Sequence, residues 1–351
     1  MKIITVIGAR PQFIKAAAVS NKLRKNNKEI LIHTGQHYDE NMSKIFFDEL
    51  NIPYPDYNLS VGSGGHGKQT GEMLIKLESI YEKENPDIVM VYGDTNSTLA
   101  GALVASKMLI PVIHVEAGLR SFNKSMPEEQ NRILTDHISN LLFAPTDTAV
   151  KNLESEGIIK NVYNVGDVMF DAIMHFKDVS LKRSNIIDKL NLNNSEYILT
   201  TIHRAENTND ILRLKNIIEA LNESDKTIVL PLHPRTRKYI NDYNLNINTN
   251  IKLIEPVGYL DMISLEGNSS KIVTDSGGVQ KEAFFMKKPC ITMREETEWI
   301  ETVENGWNIL VGTDKDKILD SIVNFMPNKP QKKIFGDGNS SEKICRIIEE
   351  I

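Results

Sequence analysis

Short runs of β-favouring apolar residues alternate along the whole chain with stretches whose apolar residues recur at helical spacing. Residues 3–7, 30–33, 88–92, 112–115, 141–144 and 162–165 read as strands. Between them, 11–25, 41–50, 68–83, 97–108, 128–139 and 148–156 read as helices. The strand runs lack strict polar–apolar alternation, the pattern of a parallel sheet covered by helices on both faces. The pattern then restarts, with strands at 198–202, 227–230, 252–254, 271–274 and 290–292. The expected fold class is α/β, with two doubly wound, Rossmann-like domains in tandem. A join near Gly166-Asp167-Val168 gives an N-terminal domain over 1–167 and a C-terminal domain over 168–336. Ile344, Ile347, Ile348 and Ile351 mark an amphipathic helix within the last segment, 337–351. Ligand in such a protein is expected in the cleft between the halves, at the carboxyl ends of the strands.

Composition narrows the function classes. The chain has 351 residues and a net charge of −6 without a long basic run, so nucleic acid is not the expected partner. Cys290 and Cys345 form no motif, and no apolar run reaches membrane-spanning length. The first residues enter a strand at once, with no small-residue cleavage site. A cytoplasmic protein with no membrane partner is expected. No zinc pattern, Gly-x-Gly-x-x-Gly, Walker lysine or Ser-centred elbow is present, so neither a metal nor a cofactor is expected.

The strand ends carry the candidate chemistry. The stretch Thr274-Asp275-Ser276-Gly277-Gly278-Val279-Gln280-Lys281-Glu282 reads as strand, glycine turn and helix. Ser276 can cap that helix, and Ser276, Gly277 and Gly278 present free N–H groups suited to phosphate, with Glu282 placed for sugar hydroxyls. The first strand runs into Gly8-Ala9-Arg10-Pro11, where the cations Arg10 and Lys15 at a helix start favour a bound anion. Asp94 follows the strand 88–92 and is either a helix cap or a reactive acid. Glu116 ends an apolar strand, and as a buried carboxylate needs a partner such as Arg120. Glu128 stands in the first turn after Pro127, where acids are favoured. His203 and His233 end two strands of the second half. Acids thus gather in one half, and His, Arg and a phosphate turn in the other.

Six blocks fall in one order: Gly8-Ala9-Arg10-Pro11, Gly93-Asp94-Thr95, Glu116-Ala117-Gly118-Leu119-Arg120, Pro127-Glu128-Glu129-x-Asn131-Arg132, His203-Arg204-x-Glu206-Asn207 and Asp275-Ser276-Gly277-Gly278-Val279-Gln280. By these the chain resembles the non-hydrolysing UDP-N-acetylglucosamine 2-epimerases over nearly its whole length. The resemblance implies the two-domain fold of the B-type glycosyltransferases, a final helix returning to the first domain, and a homodimer. It implies a UDP-sugar substrate, epimerised at C2 by elimination of UDP and re-addition through a 2-acetamidoglucal, in the supply of surface-polysaccharide precursors. It assigns Asp94, Glu116 and Glu128 to acid–base work. It places Arg10, Lys15 and His203 on the diphosphate or leaving oxygen, Ser276, Gly277 and Gly278 on phosphate, and Glu282 on ribose. Val257 and Met262 match its uridine-side positions. Gln36 and His233 match part of a second, activating substrate site, while Lys68 stands where an arginine is usual.

The departures point to a subgroup. Thr297-Glu298-Trp299-Ile300-Glu301 replaces the usual Thr-Glu-Arg-Pro-Glu, so Trp299 supplies no charge there and is left to stack. His233-Pro234-Arg235-Thr236 replaces His-Leu-Asn-Pro, and His203-Arg204-Ala205-Glu206 replaces His-Arg-Arg-Glu. These variants resemble the epimerases acting on UDP-2,3-diacetamido-2,3-dideoxy-glucuronate, whose added carboxylate would suit Arg235. The alternatives are therefore that uronate as substrate, or a UDP-sugar-dependent glycosyltransferase of the same fold. A hydrolysing epimerase and a UDP-sugar sensor are further rivals.

Overall fold

The computed structural model describes residues 1–36, 47, 52–193 and 195–350, with Arg10 described by its backbone alone. The helix expected over 41–50, apart from Phe47, and the side chain of Arg10 lie outside the described residues, as does Ile351. The chain divides into two compact units, Met1–Met174 with Lys333–Ile351, and His175–Lys332.

Among the described residues the first unit holds a sheet of seven parallel strands: β1 (Lys2–Ile7), β2 (Lys28–His33), β3 (Tyr57–Asn58), β4 (Ile88–Tyr92), β5 (Val112–Val115), β6 (Leu141–Ala144) and β7 (Val162–Asn164), in the order β3-β2-β1-β4-β5-β6-β7. Ile4 stands opposite both Ile30 of β2 and Val89 of β4. Apolar side chains on this sheet pack with Met73 and Leu77 of the helix His66–Glu84 and with Ala100, Ala102 and Ala105 of the helix Asn96–Lys107. Small residues bring the second helix close. A Cβ on Gly101 would stand 3.0 Å from Val91 Cγ1, so even an alanine would press on the sheet. The helix Ser340–Glu349 packs on the helix Arg10–Leu23. Its start is held by the buried Asp171 carboxylate, which accepts from the N–H groups of Ser340 (3.0 Å) and Ser341 (2.7 Å).

The second unit repeats the winding. Strands β8 (Tyr197–Thr201), β9 (Thr227–Pro231), β10 (Ile251–Ile254), β11 (Lys271–Thr274), β12 (Cys290–Thr292) and β13 (Asn308–Leu310) lie in the order β10-β9-β8-β11-β12-β13, all parallel. Ile198, Leu230, Val273 and Ile291 of the sheet pack with Ile217 and Ile318 of flanking helices. In each sheet the first strand sits inside, and the order reverses beside it: between β1 and β4, and between β8 and β11. Such reversals leave crevices at the strand carboxyl ends where ligands of open α/β sheets bind. The edge strands β3 and β13 were not expected from the pattern, being only two and three residues long. No helix of the described residues is long and apolar enough to cross a membrane.

Candidate active site

At the reversal in the first sheet, one buried glutamine joins two turns. Gln12 Oε1 accepts from the N–H groups of Gly8 (2.7 Å) and Ala9 (3.0 Å), after β1. Its Nε2 donates to the Tyr92 carbonyl at the end of β4 (2.8 Å) and to Thr98 (2.9 Å). A Cβ on Gly8 would fall 2.1 Å from Thr34 Oγ1 and 2.2 Å from Ser97 Oγ, so only glycine fits there. Thr95, whose hydroxyl accepts from Thr98 N–H, caps the helix Asn96–Lys107. Asp94 is thereby free of the capping task. It pairs instead with Arg132, which also binds Glu129 at 2.9 Å.

Glu116 leaves β5 with φ of +72°. A non-glycine residue held there costs roughly 1–3 kcal/mol, a strain that persists only where surrounding contacts enforce it. Its Oε1 accepts from Lys15 Nζ at 2.6 Å, with both side chains more than nine-tenths buried. The partner expected for Glu116 was Arg120. That guanidinium turns away, to Asp136 (2.7 Å) and Glu156 (2.7 Å). Lys15 Nζ also lies 3.3 Å from where a Cβ of Gly93 would stand, so ammonium, Glu116 and the turn carrying Asp94 crowd one place. Among neighbouring glutamates the roles divide by burial. Glu129 is buried and accepts from Ser121 N–H (2.9 Å) and Phe122 N–H (2.8 Å), while Glu128 is exposed at the same helix start. Gln36 Oε1 accepts from Ser97 Oγ at 2.6 Å, and Lys68 is exposed beside Glu72.

In the second unit the reversal is built on Asp275. This fully buried carboxylate accepts from the N–H groups of His203 (3.1 Å) and Arg204 (3.0 Å) and from Asn207 Nδ2 (3.2 Å). The turn after β8 is thus fixed by its backbone, and the His203 ring stands exposed. The ring of His233, after β9, lies 6.1 Å away between centroids. His233 Nδ1 accepts from Arg235 N–H (3.2 Å) and caps the helix Pro234–Asp242. Burial, then the neighbouring His203 and Arg235, push the His233 ring below its ordinary pKa. Arg235 itself is exposed.

Ser276 caps the helix Gly277–Phe285 through Val279 N–H. A Cβ on Gly277 would lie 2.1 Å from Glu298 Oε1, whereas one on Gly278 would meet nothing nearer than 3.8 Å. Glu282 is buried in the second turn. Trp299 is buried under Lys281, whose Nζ sits 3.9 Å from the ring centroid. The ring at 299 thus stacks, as expected, and its partner is the Lys281 ammonium of the same unit. Val257 and Met262 are half-buried against the cluster holding Leu199, Val229 and Ile272. Sequence reasoning passed over Gln12, Arg132, Glu298 and Lys281, and gave Asp275 no task of its own. Arg132 and Asp275 stand inside the quoted motif blocks and Gln12 directly follows the first of them, which is the signal that could have found them.

The comparisons with known proteins agree with this frame. The family model described as UDP-N-acetylglucosamine 2-epimerase matches residues 21–349. The chain is 58% identical to a UDP-N-acetylglucosamine 2-epimerase homolog of Methanococcus maripaludis, with all of both chains covered. It is 49% identical to the UDP-2,3-diacetamido-2,3-dideoxy-D-glucuronate 2-epimerase of Pseudomonas aeruginosa, again over all of both chains. The solved structure of Methanocaldococcus jannaschii UDP-GlcNAc 2-epimerase, in complex with UDP-GlcNAc and UDP, superposes with a TM-score of 0.93 at 50% identity, covering 100% of each chain. The expected fold class, two doubly wound α/β units of the B-type glycosyltransferase kind, is the one such structures share. The chain belongs to the UDP-N-acetylglucosamine 2-epimerase family, whose members are isomerases.

Proposed function

We propose that this protein interconverts UDP-N-acetylglucosamine and its C2 epimer without hydrolysis. The observation that carries the reading is the placement of two acids at neighbouring strand ends. Asp94 follows β4 and Glu116 follows β5, and Glu116 is anchored to the buried Lys15 at 2.6 Å. A glycosyltransferase leaves C2 untouched and needs no acid and base on opposite faces of that carbon. In the proposed cycle a carboxylate takes the C2 proton, the C1–O bond breaks, and its electron pair leaves with UDP. UDP oxygen then re-forms the bond to C1 of the glycal while an acid protonates C2 from the opposite face. Asp94, Glu116 and Glu128 supply the base and the acid. Arg10, Lys15 and His203 meet the diphosphate and the leaving oxygen. Ser276, Gly277 and Gly278 hold phosphate by a helix start, Glu282 the ribose, and Val257 with Met262 flank the uridine. The working form is read as a cytoplasmic homodimer, which light scattering would test. Incubation with UDP-N-acetylglucosamine in deuterated water should place deuterium at C2 of both epimers. Absence of exchange in folded protein that binds UDP would end this reading.

A further inference from the structure

The strand β5 carries a histidine that the acid–base scheme does not use. His114 is fully buried, and each ring nitrogen meets an acceptor. Nε2 lies 2.7 Å from the carbonyl oxygen of Gly93, and Nδ1 lies 2.7 Å from Asp136 Oδ1. A carbonyl oxygen only accepts, so Nε2 carries a hydrogen. The other carboxylate oxygen, Asp136 Oδ2, already accepts from Arg120 Nη1 (2.7 Å) and from Gly118 N–H (3.1 Å). With Oδ2 taken by two donors, Oδ1 is the oxygen that faces the ring, and Nδ1 donates to it. Charge agrees with that assignment. Arg120 faces two carboxylates, Asp136 and Glu156, and a second cation at His114 balances them. His137, half exposed, touches only the outer oxygen of Glu156, at 3.2 Å.

The ends of this chain of bonds matter most. Gly93, with φ of +63°, is the residue that turns the backbone into Asp94. Gly118, with φ of +80°, closes the turn that began at Glu116. A Cβ on Gly118 would stand 2.4 Å from the Ala149 carbonyl, so only glycine fits at this point of the turn. His114 and Asp136 therefore span the two acid-bearing turns: Gly93 carbonyl, imidazolium, carboxylate, Gly118 N–H. We propose that His114 is a positioning residue that donates from both ring nitrogens and so fixes Asp94 and Glu116 relative to each other. The inference rests on the epimerase reading for its kinetic consequence and on geometry alone for its donor state.

The test has two arms. In the full chain labelled with 15N-histidine, His114 should show two protonated ring nitrogens whose hydrogens exchange slowly with solvent. Its signals are assigned by their loss in His114→Gln. A single protonated nitrogen would overturn the donor assignment. In the C2 exchange assay, folded His114→Gln should lose about 10²-fold in kcat, the scale of a misplaced catalytic group. KM and UDP affinity should move by less than about threefold, since no ligand contact is removed. Undiminished kcat, or an effect confined to KM, would overturn the positioning role. If His114→Gln melts below the assay temperature, Asp136→Asn takes its place, with the same kcat loss expected and one His114 nitrogen deprotonated. Wild-type protein that shows two protonated nitrogens but no C2 exchange would remove the epimerase reading and leave the donor geometry standing.

Discussion

The two units follow the same winding, yet the turns at their strand ends are held in different ways. In the first, buried cations pair with carboxylates, some buried and some half-buried: Lys15 with Glu116, Arg120 with Asp136 and Glu156, Arg132 with Asp94 and Glu129. In the second, Asp275 is held by backbone N–H groups and an asparagine beneath the exposed His203, and the buried Arg294 pairs with Glu298 after β12. A side chain fixed by ion pairs is rigid and keeps a defined proton inventory, which acid–base chemistry needs. A backbone fixed by a buried carboxylate spends its N–H groups on that carboxylate and leaves the side chain above it, here His203, open to solvent. On the proposed reading, the first unit reacts and the second holds.

The largest effect should follow from breaking a pair in the first unit. Glu116→Gln keeps the size of the side chain but leaves Lys15 buried without its counter-charge. C2 deuterium exchange should fall by about 10²–10⁴-fold, the usual worth of a general acid or base. UDP affinity, read by calorimetry, should stay within a few-fold of wild type. A variant that binds UDP poorly but turns over normally would reverse the division of labour between the units.

The second unit should show its dependence on Asp275 as stability first. Asp275→Ala strips the acceptor from His203 N–H, Arg204 N–H and Asn207 Nδ2. Each orphaned donor costs about 1–3 kcal/mol, less where water enters to take the bond. Denaturant melting should show a loss of at least one such increment, and UDP affinity should fall with it. Unaltered stability would mean that the turn after β8 is held by something other than this carboxylate.

The glycine pair sharpens the comparison further. Gly277→Ala drives a methyl into Glu298 Oε1, whereas Gly278→Ala meets open space. The Glu298 carboxylate must swing away from Arg294 to make room, and the disturbed helix start should show about a tenfold loss of UDP affinity. Gly278→Ala should stay within a few-fold. Equal effects would show that both glycines are needed for close backbone approach to the ligand and not for packing.

Much of this was legible in the sequence because strand ends are. Apolar runs such as 88–92 and 271–274 locate strands, and whatever follows them lies on the functional rim of a parallel sheet. The short edge strands β3 and β13 escaped, since Tyr57–Asn58 and Asn308–Leu310 carry too few apolar residues to show a period. Pairing escaped for a different reason. Glu116 and Arg120 are close in sequence, so Arg120 was the natural partner. Lys15 is 101 residues away, brought there because β1, β4 and β5 are successive neighbours in the sheet. Long-range register, absent from any local pattern, decides which charges meet. Glu129 illustrates the same limit, for only its burial separates it from its exposed neighbour Glu128.

The smallest expected effect is a titration in the holding unit. His233 caps its helix through an unprotonated Nδ1, and burial, then His203 and Arg235, lower its pKa below the ordinary 6.5. The unfolded chain therefore binds its proton at a higher pH than the folded one. In the window just below about pH 6.5 the unfolded state carries more protons, so stability rises with pH there and is level above it. Thermal melting should show wild type losing more on going from about pH 7 to pH 5 than His233→Asn, whose amide oxygen keeps the cap without a titration. NMR titration of the His233 ring separates the causes. In His203→Gln its midpoint should move up, yet stay below 6.5, because burial is the larger cause. A midpoint unmoved by that change would mean that the two rings, 6.1 Å apart, do not sense each other's charge. A midpoint returned fully to 6.5 would mean that the second unit, like the first, governs its chemistry by paired charge.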